Sequence, residues 1–254
     1  MDAHNPERRG DRRPHRTGAA PPGRLQGLVP RLSRATIVNG DEDLDLNEAY
    51  AVETPDDNRN LYGRWATTYE SGFATRHAYV YHERVAATFT ESVGPDDDPV
   101  LDIGCGTGLV GEALRALGDW TIDGLDLSPE MLDEARGKTA QDGSPVYRDL
   151  HVADLTAPLE HGDGAWGSIV SAGTFTHGHV GPDAFDELYR IARIGALFVV
   201  GINPDHFEGQ GYAGRFAKDV DAGRITAPDF LRVPTYSIGE HIDRLSVLAV
   251  FRTA

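Results

Sequence analysis

The sequence predicts an α/β fold, a mostly parallel sheet with helices on both faces and an antiparallel pair toward the C-terminal end. Three observations carry this. Strand-like apolar runs alternate with helical periodicity between about residues 78 and 202 of the 254. The run Pro99-Val100-Leu101-Asp102-Ile103 passes directly into Gly104-Cys105-Gly106-Thr107-Gly108 and then into a helical pattern. Two further strand-like segments, 230–236 and 245–251, are joined by a connection too short for a crossover helix, so they should pair antiparallel.

The elements follow in order. Residues 1–58 are expected to be a disordered extension, Arg- and Pro-rich and then acidic, with the folded domain occupying 59–254. The first 40 residues carry eight arginines (Arg8, Arg9, Arg12, Arg13, Arg16, Arg24, Arg31, Arg34) against three acids (Asp2, Glu7, Asp11) and show no apolar periodicity. They read as an extension without function, or as an early start codon, with an interaction arm or a transit-like segment as the alternative. Structure should begin near Asn60 with an aromatic segment, 62–69. A helix should follow, with Ala78, Tyr81, His82, Val85, Ala86 and Phe89 on one face, ended by Gly94-Pro95-Asp96-Asp97-Asp98-Pro99.

The first strand leads through the glycines to a helix carrying Leu109, Val110, Ala113, Leu114 and Leu117. A second strand ends at Asp126. Ser128 as N-cap and Pro129 at the first helical position then open another helix. Further strands are expected at about 146–152, 167–172 and 196–202, with a helix opening near Pro182. A glycine-broken helix should cover 209–222.

Composition narrows the function classes. Forty per cent hydrophobic and 25 per cent charged is globular. No apolar run approaches the ~20 residues of a membrane span, and no secretory signal is seen, so no membrane partner and a cytoplasmic location are expected. The single cysteine, Cys105, cannot form an internal disulfide. The net charge is −16 despite the basic first 40 residues, and a body that acidic should repel polyphosphate. A small-molecule partner is therefore expected and nucleic acid is not. No sequence feature speaks to oligomeric state.

The glycine loop carries the chemistry. Leaving a strand for a helix within a few residues calls for positive φ, which glycine adopts cheaply, and a missing Cβ lets a ligand approach the backbone. Asp126 lies twenty residues after Gly106, where a strand-end carboxylate accepts hydrogen bonds from a ribose. Two glycine patterns overlap. Gly106-x-Gly108-x-x-Gly111 fits a dinucleotide and leaves an NAD(P)-dependent oxidoreductase as an alternative. Gly104-x-Gly106-x-Gly108 comes with Asp102, whose carboxylate would oppose a diphosphate and suit the ammonium and sulfonium of S-adenosylmethionine.

Leu101-Asp102-Ile103-Gly104-Cys105-Gly106-Thr107-Gly108 resembles the first motif of the class I S-adenosylmethionine-dependent methyltransferases. Asp123-Gly124-Leu125-Asp126-Leu127-Ser128-Pro129-Glu130-Met131-Leu132 resembles the next, and Asp154 stands where that family has its adenine-contacting acid. The resemblance covers about residues 61–251. The stretch Ser171-Ala172-Gly173-Thr174-Phe175-Thr176-His177-Gly178-His179-Val180 is similar to the Williams–Beuren-region methyltransferase-like subgroup, which acts on small molecules.

The resemblance implies a Rossmann-like, seven-stranded, mostly parallel sheet with an antiparallel C-terminal strand. It also implies a methyl-donor site built from Tyr69, Asp102, Gly104, Cys105, Gly106, Gly108, Asp126, Leu127, Asp154, Leu155 and Ser171, with S-adenosyl-L-methionine as cofactor. Family patterns for DNA-base, cytosine-C5 and magnesium-dependent catechol enzymes are missing after the fourth strand. Metal-free transfer to a small-molecule O or N nucleophile is what remains.

His177 and His179 are the candidate catalytic residues. Two apart, they would point the same way from an extended backbone, and one imidazole could take a proton from the acceptor. They also read as ordinary loop or pocket-shaping histidines; without a third ligand they make a poor zinc site. Trp65 with Tyr69 would lie against the donor, and Asn203, His206, Tyr212 and Tyr236 are candidates for a substrate wall. A protein that binds the donor without catalysis is the remaining alternative. The chain departs from common family patterns at Trp166-Gly167 and Ile194-Gly195-Ala196.

Overall fold

A computed structural model describes residues 54–75, 78–176, 180–238 and 242–254. The extension, up to residue 53, and the histidines at 177 and 179 lie outside the described residues. The first described helix, α1 (Pro55–Trp65), starts ahead of the onset expected near Asn60. Thr54 caps it, accepting from the Asp57 N–H, and Pro55 sits in its first turn. A π-helical turn, Tyr69–Ala74, follows. Helix α2 (Tyr81–Ser92) buries Tyr81, Val85, Ala86 and Phe89, but Ala78 precedes it with a positive φ of 47° and is not on its face.

The remaining elements are β1 (Val100–Ile103), α3 (Leu109–Leu117), β2 (Ile122–Asp126), α4 (Pro129–Arg136), β3 (Asp149–Val152), β4 (Trp166–Phe175), α5 (Phe185–Ile191), β5 (Ala192–Ile202), α6 (Pro204–Gly209), α7 (Tyr212–Asp221), β6 (Asp229–Pro234) and β7 (Leu245–Arg252). The seven strands form one sheet in the order β3-β2-β1-β4-β5-β7-β6. Strands β1 to β5 pair in parallel, and β7 is antiparallel to both β5 and β6. This is the Rossmann-like methyltransferase sheet. The chain builds outward from β1 on one side, then returns to lay β4 on the other, which leaves a crevice beyond the C-terminal ends of β1 and β4.

Strand alternation divides the core. Leu101, Ile103 and Phe198 face a cluster that includes Phe185, Leu188, Tyr212 and Phe216 from α5 and α7. Val100, Val170 and Val199 face the other side, where Val85, Phe89, Leu114 and Leu132 pack from α2, α3 and α4. Among the described residues no helix is long and apolar enough to cross a membrane.

Several boundaries differ from expectation for local reasons. The third strand is limited to Asp149–Val152, because Val146 and Tyr147 turn inward beneath α3 and α4 instead of pairing. Strand β5 begins at Ala192 and carries a bulge. Its register against β4 shifts between Trp166 and Ser168, where Gly195 has φ +83° and Ile194 is exposed. Gly167 leaves no room for a side chain, because the backbone of Asp96 and Asp97 passes 2.6 Å from where a Cβ would sit. Its neighbour Trp166 donates from Nε1 to Asp123 Oδ2 at 2.9 Å. The expected helix over 209–222 is α7, which starts at Tyr212 after Gly211 with φ +74°, while α6 ends at Gly209 where that range begins.

Candidate active site

The loop after β1 holds three glycines in the left-handed region: Gly104 (φ +62°), Gly106 (φ +54°) and Gly108 (φ +93°). Their surroundings differ. A Cβ on Gly104 would overlap the Thr174 side chain. The Thr174 and Ser171 hydroxyls, 2.8 Å apart, both lie 2.9 Å from the Ile103 carbonyl, so β4 clamps the exit of β1. A Cβ on Gly106 would meet nothing within 4 Å. Gly108 caps α3 and packs against Tyr147 and Lys138.

Asp126 ties this loop to the tip of β2. Its Oδ2 accepts from the Gly106 N–H at 2.8 Å and its Oδ1 from the Ser128 N–H at 2.9 Å, while the Cys105 N–H donates to the Leu125 carbonyl at 3.0 Å. Burial raises the Asp126 pKa, and the backbone N–H groups of Ser128 and Gly106 oppose that rise. Burial likewise holds the Cys105 thiol well above its ordinary pKa, which makes it an unreactive small side chain.

A cavity opens over this corner. Gly104, Cys105, Gly106, Asp126, Leu127, Asp154, Leu155 and Tyr69 all line it. Asp154 turns its own loop, its Oδ1 accepting from the Thr156 N–H at 2.8 Å and the Thr156 hydroxyl at 2.7 Å. The other three expected donor residues stand behind the wall. Asp102 and Ser171 are fully buried, and Gly108 faces Tyr147. Asp102 lies there because alternation along β1 puts it on the same side as Val100, under α3. Burial pushes its pKa up to about 7; the Tyr147 hydrogen bond lowers it, the charge of Asp126 adds to the rise, and the Gly111 N–H lowers it again.

The N-terminal segment supplies one wall of the cavity with Tyr62, Tyr69, Tyr79 and His82. It is fastened to the far edge of the sheet by a bridge between Tyr79 and Tyr236. Trp65 instead packs with Leu61 and Tyr236, away from the cavity. His82 was not singled out for the site by sequence. It stacks on Tyr79 with ring centroids 5.5 Å apart, and its Nδ1 is buried without a hydrogen-bond partner among the described residues. Burial lowers its pKa to about 4, so the ring is neutral near pH 7; Glu112 and Glu70 oppose the shift and Lys138 adds to it.

Val180 lines the cavity just after the histidine loop. Its carbonyl lies 3.0 Å from His206 Nε2 and accepts from the Tyr212 hydroxyl at 2.7 Å. Asn203 caps α6, and Tyr236 joins the aromatic cluster. None of these four lines the cavity; they brace its surroundings.

Residues 100–195 match the methyltransferase domain family. Human methyltransferase-like protein 27 is 32% identical over 133 residues, 51% of this chain and 51% of that protein. The bovine 18S rRNA (guanine-N(7))-methyltransferase is 53% identical over 58 residues, 22% of this chain and 20% of that protein. The chain thus spans about half the length, or less, of these curated relatives. A chain from the complex formed by the Haloferax volcanii Trm112 methyltransferase activator superposes with a TM-score of 0.54 at 21% identity. It covers 75% of this chain and 96% of that one, a likeness of fold alone. An rRNA methyltransferase among the relatives means that the comparisons do not support the expected exclusion of nucleic acid.

Proposed function

We propose that the chain is an S-adenosylmethionine-dependent methyltransferase acting, without a metal, on an O or N nucleophile of a small molecule. The observation that carries this is the pairing of an open Gly106 with a tethered Asp126. Gly106 offers bare backbone to the cavity, and the carboxylate beside it retains lone pairs for ribose hydroxyls. The buried Asp102 Oδ1, which has no hydrogen-bond partner among the described residues, adds negative charge behind the loop and suits a cationic ligand. The same charge disfavours a pyrophosphate.

When bound, S-adenosylmethionine supplies a methyl group on a sulfonium leaving group, transferred by in-line displacement. The chain's residues bind and orient. Asp126 would hold the ribose, and Asp154, the Leu155 backbone N–H and Leu127 would hold the adenine. Gly104, Cys105 and Gly106 would offer their backbone to the donor, with Tyr69 as a further wall. Asp102, Gly108 and Ser171 act from behind by fixing the loop. The acceptor would enter near Thr174, where His177 or His179 takes its proton if it has one to lose. Most of the acceleration would come from alignment.

The domain is assigned to 59–254, behind an extension over 1–58, and its location to the cytoplasm. The 171–180 stretch favours the Williams–Beuren-region methyltransferase-like subgroup, and the acidity of the chain favours a small acceptor over RNA. Calorimetry with S-adenosylhomocysteine and, separately, NADH tests the donor. Micromolar binding of the first alone is expected; binding of NADH alone would reverse the reading in favour of an oxidoreductase. Binding of the first without methylation of any acceptor in a small-molecule or rRNA panel would favour a non-catalytic binder.

A further inference from the structure

We infer that Tyr147 is a positioning residue of the donor site, its hydroxyl holding both the Asp102 carboxylate and the first turn of α3, and its ring occupying space left by three glycines. The inference rests on the donor reading above. Tyr147 lies between α4 and β3 and is only 6% exposed. Its hydroxyl donates to Asp102 Oδ2 at 2.7 Å and accepts from the Gly111 N–H at 3.2 Å. That N–H belongs to the first turn of α3, where no carbonyl of the helix itself is available. One phenol therefore satisfies a helix-terminal donor and a buried acid together.

The glycines around it account for the ring. A Cβ on Gly108 would come within 2.9 Å of the Tyr147 ring, and one on Gly124 within 3.1 Å of it. At Gly111 a Cβ would overlap the Tyr147 hydroxyl itself. The last two glycines of Gly106-x-Gly108-x-x-Gly111 thus make room for a side chain from another part of the chain. A pyrophosphate is not needed to explain them.

The consequence for binding is electrostatic. Asp102 is faced by Tyr147, by Asp126 at the tip of β2, by the Cys105 thiol and by the Gly111 N–H. Lys138 reaches Gly108 with its stem, but its ammonium is bound by Glu112 at 2.6 Å and Glu70 at 3.0 Å. Burial keeps the phenol protonated at all ordinary pH values, so it remains a donor. Among the described residues it is the one neighbouring side chain whose hydrogen bond favours the charged form of Asp102, the form a cationic ligand requires.

Tyr147→Phe in the full chain tests this, because it keeps the ring and removes the hydroxyl. The Asp102 midpoint is read by carboxyl-carbon NMR without ligand, and S-adenosylmethionine affinity by calorimetry from pH 6 to 9. The midpoint is expected to rise by about one pH unit. Affinity at pH 7 should drop about fivefold and recover toward wild type at pH 9. An unmoved midpoint, or an affinity loss equal at every pH, would overturn the inference. If Tyr147→Phe does not fold, Asp102→Asn serves: donor affinity should lose its pH dependence over this range, and persistence of that dependence overturns the proposal. A midpoint that shifts as expected in a protein that binds neither S-adenosylmethionine nor S-adenosylhomocysteine would uphold the Tyr147–Asp102 coupling and remove the donor reading.

Discussion

Asp126 accepts the Gly106 N–H at 2.8 Å across the gap between the tip of β2 and the loop after β1. One carboxylate thereby holds the loop in shape and presents itself to the cavity. Asp126→Ala removes both roles. We expect S-adenosylhomocysteine affinity to fall at least about a hundredfold by calorimetry, with a lower melting temperature from the lost backbone hydrogen bonds. Loss of stability with affinity unchanged would show that the carboxylate serves the fold alone.

Two loop glycines should separate stability from binding. Gly104→Ala puts a methyl group into Thr174 at φ +62°, and should destabilise by roughly 2–4 kcal/mol in urea unfolding. Gly106→Ala meets open space and should lose only about 1 kcal/mol, from its φ of +54°. Its methyl group would stand in the cavity, so donor affinity should suffer more than stability.

Stability should depend on the protonation of Asp102. Its folded pKa, about 7, lies above its ordinary value of 3.8. Between those values the folded chain binds more protons than the unfolded one, so this group's contribution falls as pH rises from 4 to 7. The linkage corresponds to on the order of 4 kcal/mol across the window. Asp102→Asn should flatten the curve of unfolding free energy against pH, measured by denaturant titration.

His82 works in the opposite sense. Its folded pKa, about 4, lies below the ordinary 6.5, so its contribution grows as pH rises from 4 to 6.5 and partly masks the decline from Asp102. His82→Phe keeps a ring against Tyr79 and removes the titration. Denaturant unfolding of this variant should show a steeper loss of stability from pH 4 to 6.5 than wild type. The same variant should bind S-adenosylhomocysteine several-fold more weakly if Nδ1 contacts the ligand.

The loop and its acid were legible because local chemistry fixes them. Glycine at 104, 106 and 108 answers a backbone requirement, and Asp126 follows at strand-and-helix spacing. What the sequence could not display were contacts made by folding. Gly111 completed an apparent dinucleotide pattern, yet its neighbour is Tyr147, 36 residues away. His82 read as one position on an amphipathic helix, because its place in the cavity depends on the bridge between Tyr79 and Tyr236. Asp102 was expected at the ligand because its motif suggested it, but strand alternation sends it beneath α3. The strand-like pattern over 146–152 runs longer than β3 because Val146 and Tyr147 have strand-like side chains that are used for packing.

The sheet order has a consequence for how the protein is made. β6 touches the sheet only through β7, which it precedes in the chain. As the polypeptide emerges from a ribosome, the outer strand is available first and has nowhere to dock. It must wait with its backbone unpaired until its later neighbour slides between it and β5. Completion of this edge is therefore a late, concerted event, and an interrupted synthesis would leave β5 as a raw border open to unwanted pairing.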